Sequence, residues 1–117
     1  MKKAKEGKKG MPITYSEARA DIIKSMEVVR ALIMNSTNAD ERDRHLDNFE
    51  YLHSELAALD SQQLAHSGAA YKPLTIRLAH AAKDLETDYD QAKQLAQNLN
   101  LTASALDSML TLVKALA

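Results

Sequence analysis

The chain has 117 residues, the usual size of one domain, and no cysteine, which excludes disulfide frameworks, thiolate nucleophiles and sulfur-ligated zinc. Only three glycines and two prolines interrupt it, a scarcity that favours long helices over sheets with many turns. No apolar run approaches the roughly 18 residues of a membrane span, and the lysine-rich start lacks a signal-peptide core, so we expect a soluble, cytoplasmic protein without membrane contact.

The first ten residues differ in charge from the rest. They hold five lysines and one glutamate, so the remaining residues carry a net charge of −5 within the total of −1. Nothing apolar orders this segment, and we predict a disordered basic tail over residues 1–12 and one helical domain over residues 13–117. The tail either contacts phosphate or is a solubilising extension ahead of a second start at Met11. We favour the extension.

Two capping signals predict the starts of the first two helices. Thr14 and Glu17 form a T-x-x-E capping box, followed by apolar residues at spacings of three and four to about Met34. Asn38 with Glu41 three residues later repeats the signal in weaker form.

The second helix carries an apolar stripe that predicts its buried face. It ends either at Asp60-Ser61, before a short turn, or at Gly68. The stripe consists of Leu46, Phe49, Leu52, Leu56 and Leu59.

The third helix is predicted to begin at Pro73, which suits the first helical position, and to end before Asn98-Leu99-Asn100. Asp88 falls at a position of its heptad where an apolar residue belongs. Either Asp88 has a hydrogen-bonding partner at the buried contact between the helices, or its side chain is rotated to the rim of that contact and Tyr89 fills the apolar position. We favour the rim, because a buried unpaired carboxylate is costly. The heptad consists of Leu78, Leu85, Ala92 and Leu99.

Thr102 is predicted to cap a fourth, shorter helix that runs to Ala117. Its apolar residues cover more of the circumference than a surface helix needs. One stripe can face the bundle, and the adjoining stripe then needs another chain, unless the helix fills the centre of the bundle. We predict that Leu110 packs in the bundle and that Leu112 contacts the partner. The first stripe is Leu106, Leu110, Val113 and Ala117, and the second is Met109, Leu112 and Leu116. The interface candidates are Leu106, Met109, Leu110, Leu112, Val113 and Leu116.

Patterns for metal binding are incomplete. Glu50 and His53 have the Glu-x-x-His spacing of di-metal helical bundles, but the second copy is missing, and His80 with Asp84 is the only other nearby pair. We therefore expect His45, His53 and His80 to lie in solvent, and no metal or cofactor.

Patterns for catalysis are also missing. No serine stands in a G-x-S-x-G turn, and no glycine-rich loop is present to hold phosphate. The acidic group on the third helix is expected to form a solvated face flanked by Lys83 and Lys93, and we expect no enzymatic activity. This group is Asp84, Glu86, Asp88 and Asp90.

Residues 93–114 contain Leu95-Ala96, Leu99, Leu101-Thr102, Ala105-Leu106, Met109-Leu110 and Val113. This segment, about a fifth of the chain, resembles the helix-turn-helix motif of bacterial regulators, with Asn100 where the motif usually has glycine. The resemblance implies DNA binding. The would-be recognition helix departs from the pattern because it has no arginine or lysine before Lys114.

These patterns predict an all-α, up-and-down bundle of three long helices plus a shorter C-terminal helix. For function they favour a non-catalytic protein–protein interaction or self-association module, whose partner is a second copy, as a dimer or higher homo-oligomer, or another protein. The alternative is a DNA-binding regulator that uses residues 93–114. Nucleic acid is the weaker partner, because basic residues are scarce on the fourth helix.

Overall fold

The computed structural model describes residues 12–117, and this part of the chain is all-α, as predicted. The basic tail predicted over residues 1–12 lies outside the described residues, apart from Pro12. Among the described helices, none is both long enough and apolar enough to cross a membrane. The helices are α1 (Tyr15–Asn35), α2 (Ala39–Ser61), α3 (Ile76–Ala79), α4 (Ala82–Gln94) and α5 (Ala103–Leu116).

The predicted caps are present at three helix starts. The Thr14 hydroxyl accepts the amide proton of Glu17 at 3.0 Å while the Glu17 carboxylate accepts that of Thr14 at 2.8 Å, which completes the capping box of α1. The Asn38 side chain accepts the amide proton of Glu41 at the start of α2, and the Thr102 hydroxyl accepts that of Ala105 at the start of α5. Each cap supplies an acceptor for a backbone N–H that the helix itself leaves unpaired.

The segment that joins α2 to α3 lies against the start of α1. Helix α2 ends at Ser61, the earlier of the two predicted stops, so Gly68 lies in this segment. The amide of Tyr71 donates to the Ile13 carbonyl at 2.7 Å, and the amide of Tyr15 donates to the Ala69 carbonyl at 3.0 Å. The two tyrosine rings pack edge to face, with their centroids 5.5 Å apart. These contacts hold the segment to the first turn of α1.

Glu55 fixes the far end of the same segment. Its carboxylate is fully buried and accepts hydrogen bonds from the Tyr71 hydroxyl, the Leu74 amide, and both the amide and the hydroxyl of Thr75, at 2.7–2.9 Å. Burial, together with the neighbouring Glu55 carboxylate, raises the pKa of Tyr71 well above its ordinary value. A buried carboxylate needs such donors, and here two backbone amides and two side-chain hydroxyls of the loop provide them.

The third helix begins later than predicted and is divided. Pro73 precedes it, because the next two amides donate to Glu55, and the Thr75 hydroxyl caps α3 instead. The division is a tightened turn in which the Ala81 amide donates to the Leu78 carbonyl three residues back, at 3.0 Å. Two long helices, a one-turn helix and two of 13 and 14 residues therefore replace three long helices plus a shorter one.

The helices pack around one apolar core. Helix α1 packs against both α2 and α5, and α5 also packs against α4. The Gln91 side chain meets Glu41, and Asp88 meets Asn48, so α4 contacts the first half of α2. The largest fully buried apolar side chains are Ile22, Leu32, Leu52, Leu59, Leu78, Leu85, Met109 and Leu112.

Candidate interaction surface and the polar seam between α2 and α4

The interface candidates divide into two groups on α5, and the prediction that Leu112 contacts a partner is wrong, because α5 packs its Met109 and Leu112 side against the neighbouring helices. Met109 and Leu112 are fully buried and Val113 is 6% exposed, so these three side chains fill the chain's own core. Leu106, Leu110 and Leu116 are only half-buried. Much of the surplus apolar surface of this helix is therefore used within the chain, because α5 packs against two neighbouring helices.

The outer face of α5 is a strip that runs the length of the helix. Its members follow one another at spacings of four, three, four and three residues, which places them on one side of a helix with 3.6 residues per turn. All are exposed except Leu110, which is half-buried. The outer strip consists of Ala103, Asp107, Leu110, Lys114 and Ala117.

The opposite flank of α5 meets α1 through a polar pair. Burial has the largest effect on the Asp21 carboxyl and, with the nearby Glu17 charge, raises its pKa from 3.8 to about 6 against the opposing effect of Ser108, which lies close to it on α5. This contact identifies the flank of α5 that faces α1, and the outer strip lies away from it.

A second polar feature joins α2 to α4, and we call it the polar seam: Arg44, His45 and Asn48 on α2 with Asp88 on α4. The Asp88 carboxylate is fully buried and accepts hydrogen bonds from Arg44 and Asn48, each at 2.7 Å. Nδ1 of the buried His45 lies 3.1 Å from the same carboxylate. Beyond the seam, the Gln91 amide donates to Glu41 at 2.8 Å, and this bond lowers the pKa of Glu41.

The seam corrects two predictions. Asp88 does not lie at the rim, because Arg44 and Asn48 on α2 donate to its carboxylate and the His45 ring lies beside it. It is the buried member of an acidic group whose other members are exposed. His45 is not in solvent, whereas His53 and His80 are exposed as predicted. The cost of burying the carboxylate is offset by these partners, which lie 40 or more residues away in sequence.

The buried face of α2 explains why the seam was missed. Its residues have nearly the same spacing as the predicted stripe, but three of the five lie one residue earlier in the chain. At these positions His45, Asn48 and Glu55 are buried instead of Leu46, Phe49 and Leu56. Leu46 is 41% exposed. Apolar periodicity gives no signal for a face of this kind. The buried residues of α2 are His45, Asn48, Leu52, Glu55 and Leu59.

Neither feature has the geometry of a reactive or metal site. The seam is closed to solvent at Asp88 and His45, so a substrate has no access to them. Within residues 12–117, no three metal-binding side chains come together, and Glu50 and His53 both lie in solvent.

Two shallow cavities lie on the surface of the described residues. One, of about 340 Å³, lies beside Arg19, Lys24 and His66. Its arginine pairs with Asp60 at 3.0 Å, and its lysine lies 3.8 Å from Glu27. The other, of about 280 Å³, lies near Met34 and Leu99. Since the arginine and the lysine of the first cavity already have carboxylate partners, that cavity has no strong preference for an anion.

The segment that resembles a helix-turn-helix has part of the expected geometry. Asn100 has a φ of 55°, the positive value expected at the glycine position of the turn. The turn is longer than usual, since α4 ends at Gln94 and α5 begins at Ala103. The exposed residues of α5 are Ala103, Ser104, Asp107, Lys114 and the terminal Ala117, a set that is poor in donors for phosphate and guanine.

Comparison with known proteins identifies no relative. No protein-family model matches the chain, and no curated protein or solved structure is significantly similar to it.

Proposed function

We propose that the protein is a non-catalytic helical interaction module that associates with a second copy of itself through the outer strip of α5. The observation that carries this proposal is Leu110, which remains half-buried in the middle of the strip after the core of the chain is filled. Small alanines at both ends of the strip permit close approach of another helix. We also propose that the helices follow one another in an up-and-down order and that the protein is cytoplasmic.

Other exposed apolar residues fit this role less well. Met34 is 77% exposed on α1 and Ile76 is 76% exposed on α3. Single apolar side chains on a surface are common and need no partner. The outer strip differs because Leu110 lies between two exposed alanines on one continuous helical face, with half-buried Leu106 beside it.

The association is expected to be weak. Helix α5 has 14 residues and is therefore about 21 Å long, so one helix pair buries less than the roughly 1,200 Å² of a standard interface. Interfaces of this small size are typical of transient complexes, so we expect a dissociation constant in the micromolar range or above and exchange between monomer and dimer.

The test is sedimentation equilibrium of the wild type and of Leu110→Asp at protein concentrations up to about 0.5 mM, high enough to populate a weak dimer. Leu110→Asp should sediment as a folded monomer, because a carboxylate at the centre of the strip would lose its hydration on pairing. Leu46→Asp is the matched control, since Leu46 is 41% exposed on α2, and it should associate like the wild type. A wild type that stays monomeric would refute the proposal.

DNA binding through residues 93–114 is the second candidate, supported by the positive φ of Asn100. It ranks below self-association because Lys114 is the one basic residue of α5. Titration of duplex DNA at low salt tests it, since phosphate contacts by lysine give strongly salt-dependent affinity.

A further inference from the structure

The charges of the outer strip lie on either side of its centre. Asp107 precedes Leu110 by three residues and Lys114 follows it by four, and both charged side chains are exposed. Asp107 and Lys114 lie seven positions apart, about 10.5 Å along the helix axis, so their side chains are too far apart to pair within one helix. The Thr111 hydroxyl donates to the Asp107 backbone carbonyl at 2.9 Å, a bond that does not use the carboxylate.

This order of charges distinguishes the two ways in which a pair of α5 helices can meet. In a parallel pair related by a two-fold axis, each residue faces its own copy, so Asp107 would face Asp107 and Lys114 would face Lys114. In an antiparallel pair centred between Leu110 and Thr111, Asp107 of each chain faces Lys114 of the other. Opposite charges then meet twice, and like charges do not face each other.

We infer that the partner of the outer strip is a second copy of α5 packed antiparallel, with Asp107 and Lys114 of the two chains paired at both ends of a Leu110 contact. The inference rests on the proposed self-association and adds its geometry. The two-fold axis makes the contact self-complementary, as in most homodimers. The small Ala103 and Ala117 at the ends of the strip leave room for the backbones to approach.

The test uses charge reversal in the full chain. Asp107→Lys places two lysines opposite each other at each end of the pair, and Lys114→Asp places two aspartates there. Each variant alone should raise the dissociation constant about tenfold or more, since two attractive contacts become repulsive. The double variant, Asp107→Lys with Lys114→Asp, should associate like the wild type. An equimolar mixture of the two single variants should form heterodimers.

The double variant and the mixture control for effects on folding. Both side chains are exposed, so each variant should keep the helical circular dichroism of the wild type. Any cost of the new charges to the helix itself is also present in the double variant, and only intermolecular pairing restores its association. Association of the wild type and of the restored pairs should weaken when salt is raised from about 50 mM to about 500 mM, because exposed charges are screened.

The outcomes separate this geometry from the proposed function. If the wild type associates and both single reversals associate equally well, the antiparallel pairing is wrong while self-association stands, whether or not the mixture prefers heterodimers. If the wild type is monomeric at all concentrations, both are wrong. Weaker association of both single variants than of the wild type, together with a restored double variant and heterodimers in the mixture, would establish the antiparallel contact, because a parallel pair would leave the single variants as associated as the wild type.

Discussion

Replacing Asp88 with alanine tests the polar seam, the feature least expected from the sequence. The substitution removes a fully buried carboxylate that accepts hydrogen bonds at 2.7 Å from Arg44 and Asn48. Asn48 is 1% exposed, so its amide group would lose its acceptor without gaining water, whereas the Arg44 side chain is 39% exposed and can be rehydrated. An unpaired buried Asn48 amide costs about 1–3 kcal/mol and the lost bond from Arg44 costs about 1.5–3 kcal/mol, while alanine regains about 0.5 kcal/mol in helix propensity. We expect a loss of about 3 kcal/mol.

The assay is urea unfolding followed by circular dichroism at pH 7, with a thermal melt in parallel. A loss of this size should lower the melting temperature by roughly 10–15 °C in a domain of about 105 residues. Asp90→Ala is the matched control, since Asp90 lies on the same helix and is exposed, and it should change stability little. If Asp88→Ala is no more destabilising than Asp90→Ala, the account of the seam is incorrect.

Two further predictions concern other buried or half-buried carboxylates. Glu55→Gln should cost about 2 kcal/mol and speed amide hydrogen exchange at Thr75, because the amide group of glutamine replaces an acceptor oxygen with a donor; exposed Glu50→Gln should do neither. Asp21→Asn should change the pH dependence of stability, measured by urea unfolding. The folded-state pKa of about 6 exceeds the ordinary 3.8, so the folded state binds more protons in this window, and stability falls as pH rises from 3.8 to about 6. Asparagine should remove this fall and add about 1 kcal/mol at pH 7, a value reduced for solvent screening. Unchanged pH dependence in the variant would contradict the burial of Asp21.

The parts of the fold that depend on neighbouring residues could be predicted from the sequence. The caps at Thr14, Asn38 and Thr102 are each completed by a backbone amide three residues ahead, so the signal is contained in four residues. The stop near Ser61 and the conformation of Asn100 are likewise local.

The buried polar groups could not be predicted, because their partners lie far away in the sequence. Asp88 contacts residues 40 and 44 positions earlier, and Glu55 receives donors from a loop 16–20 residues later. A prediction from apolar periodicity places both Asp88 and Glu55 on the surface, because each is a charged residue. The same limit applies to α5, where the sequence shows excess apolar surface but not which leucines its neighbouring helices cover.

The polar seam also has a consequence for the alignment of α4 along α2. If α4 slid by one helical turn, about 5.4 Å, an apolar contact would exchange one aliphatic neighbour for another at modest cost. The same shift would separate Asp88 from Arg44 and Asn48 and leave a buried carboxylate without donors. Directional polar bonds therefore select a single register for the two helices. Because α5 packs against α4, that register also affects the height of the outer strip relative to α2.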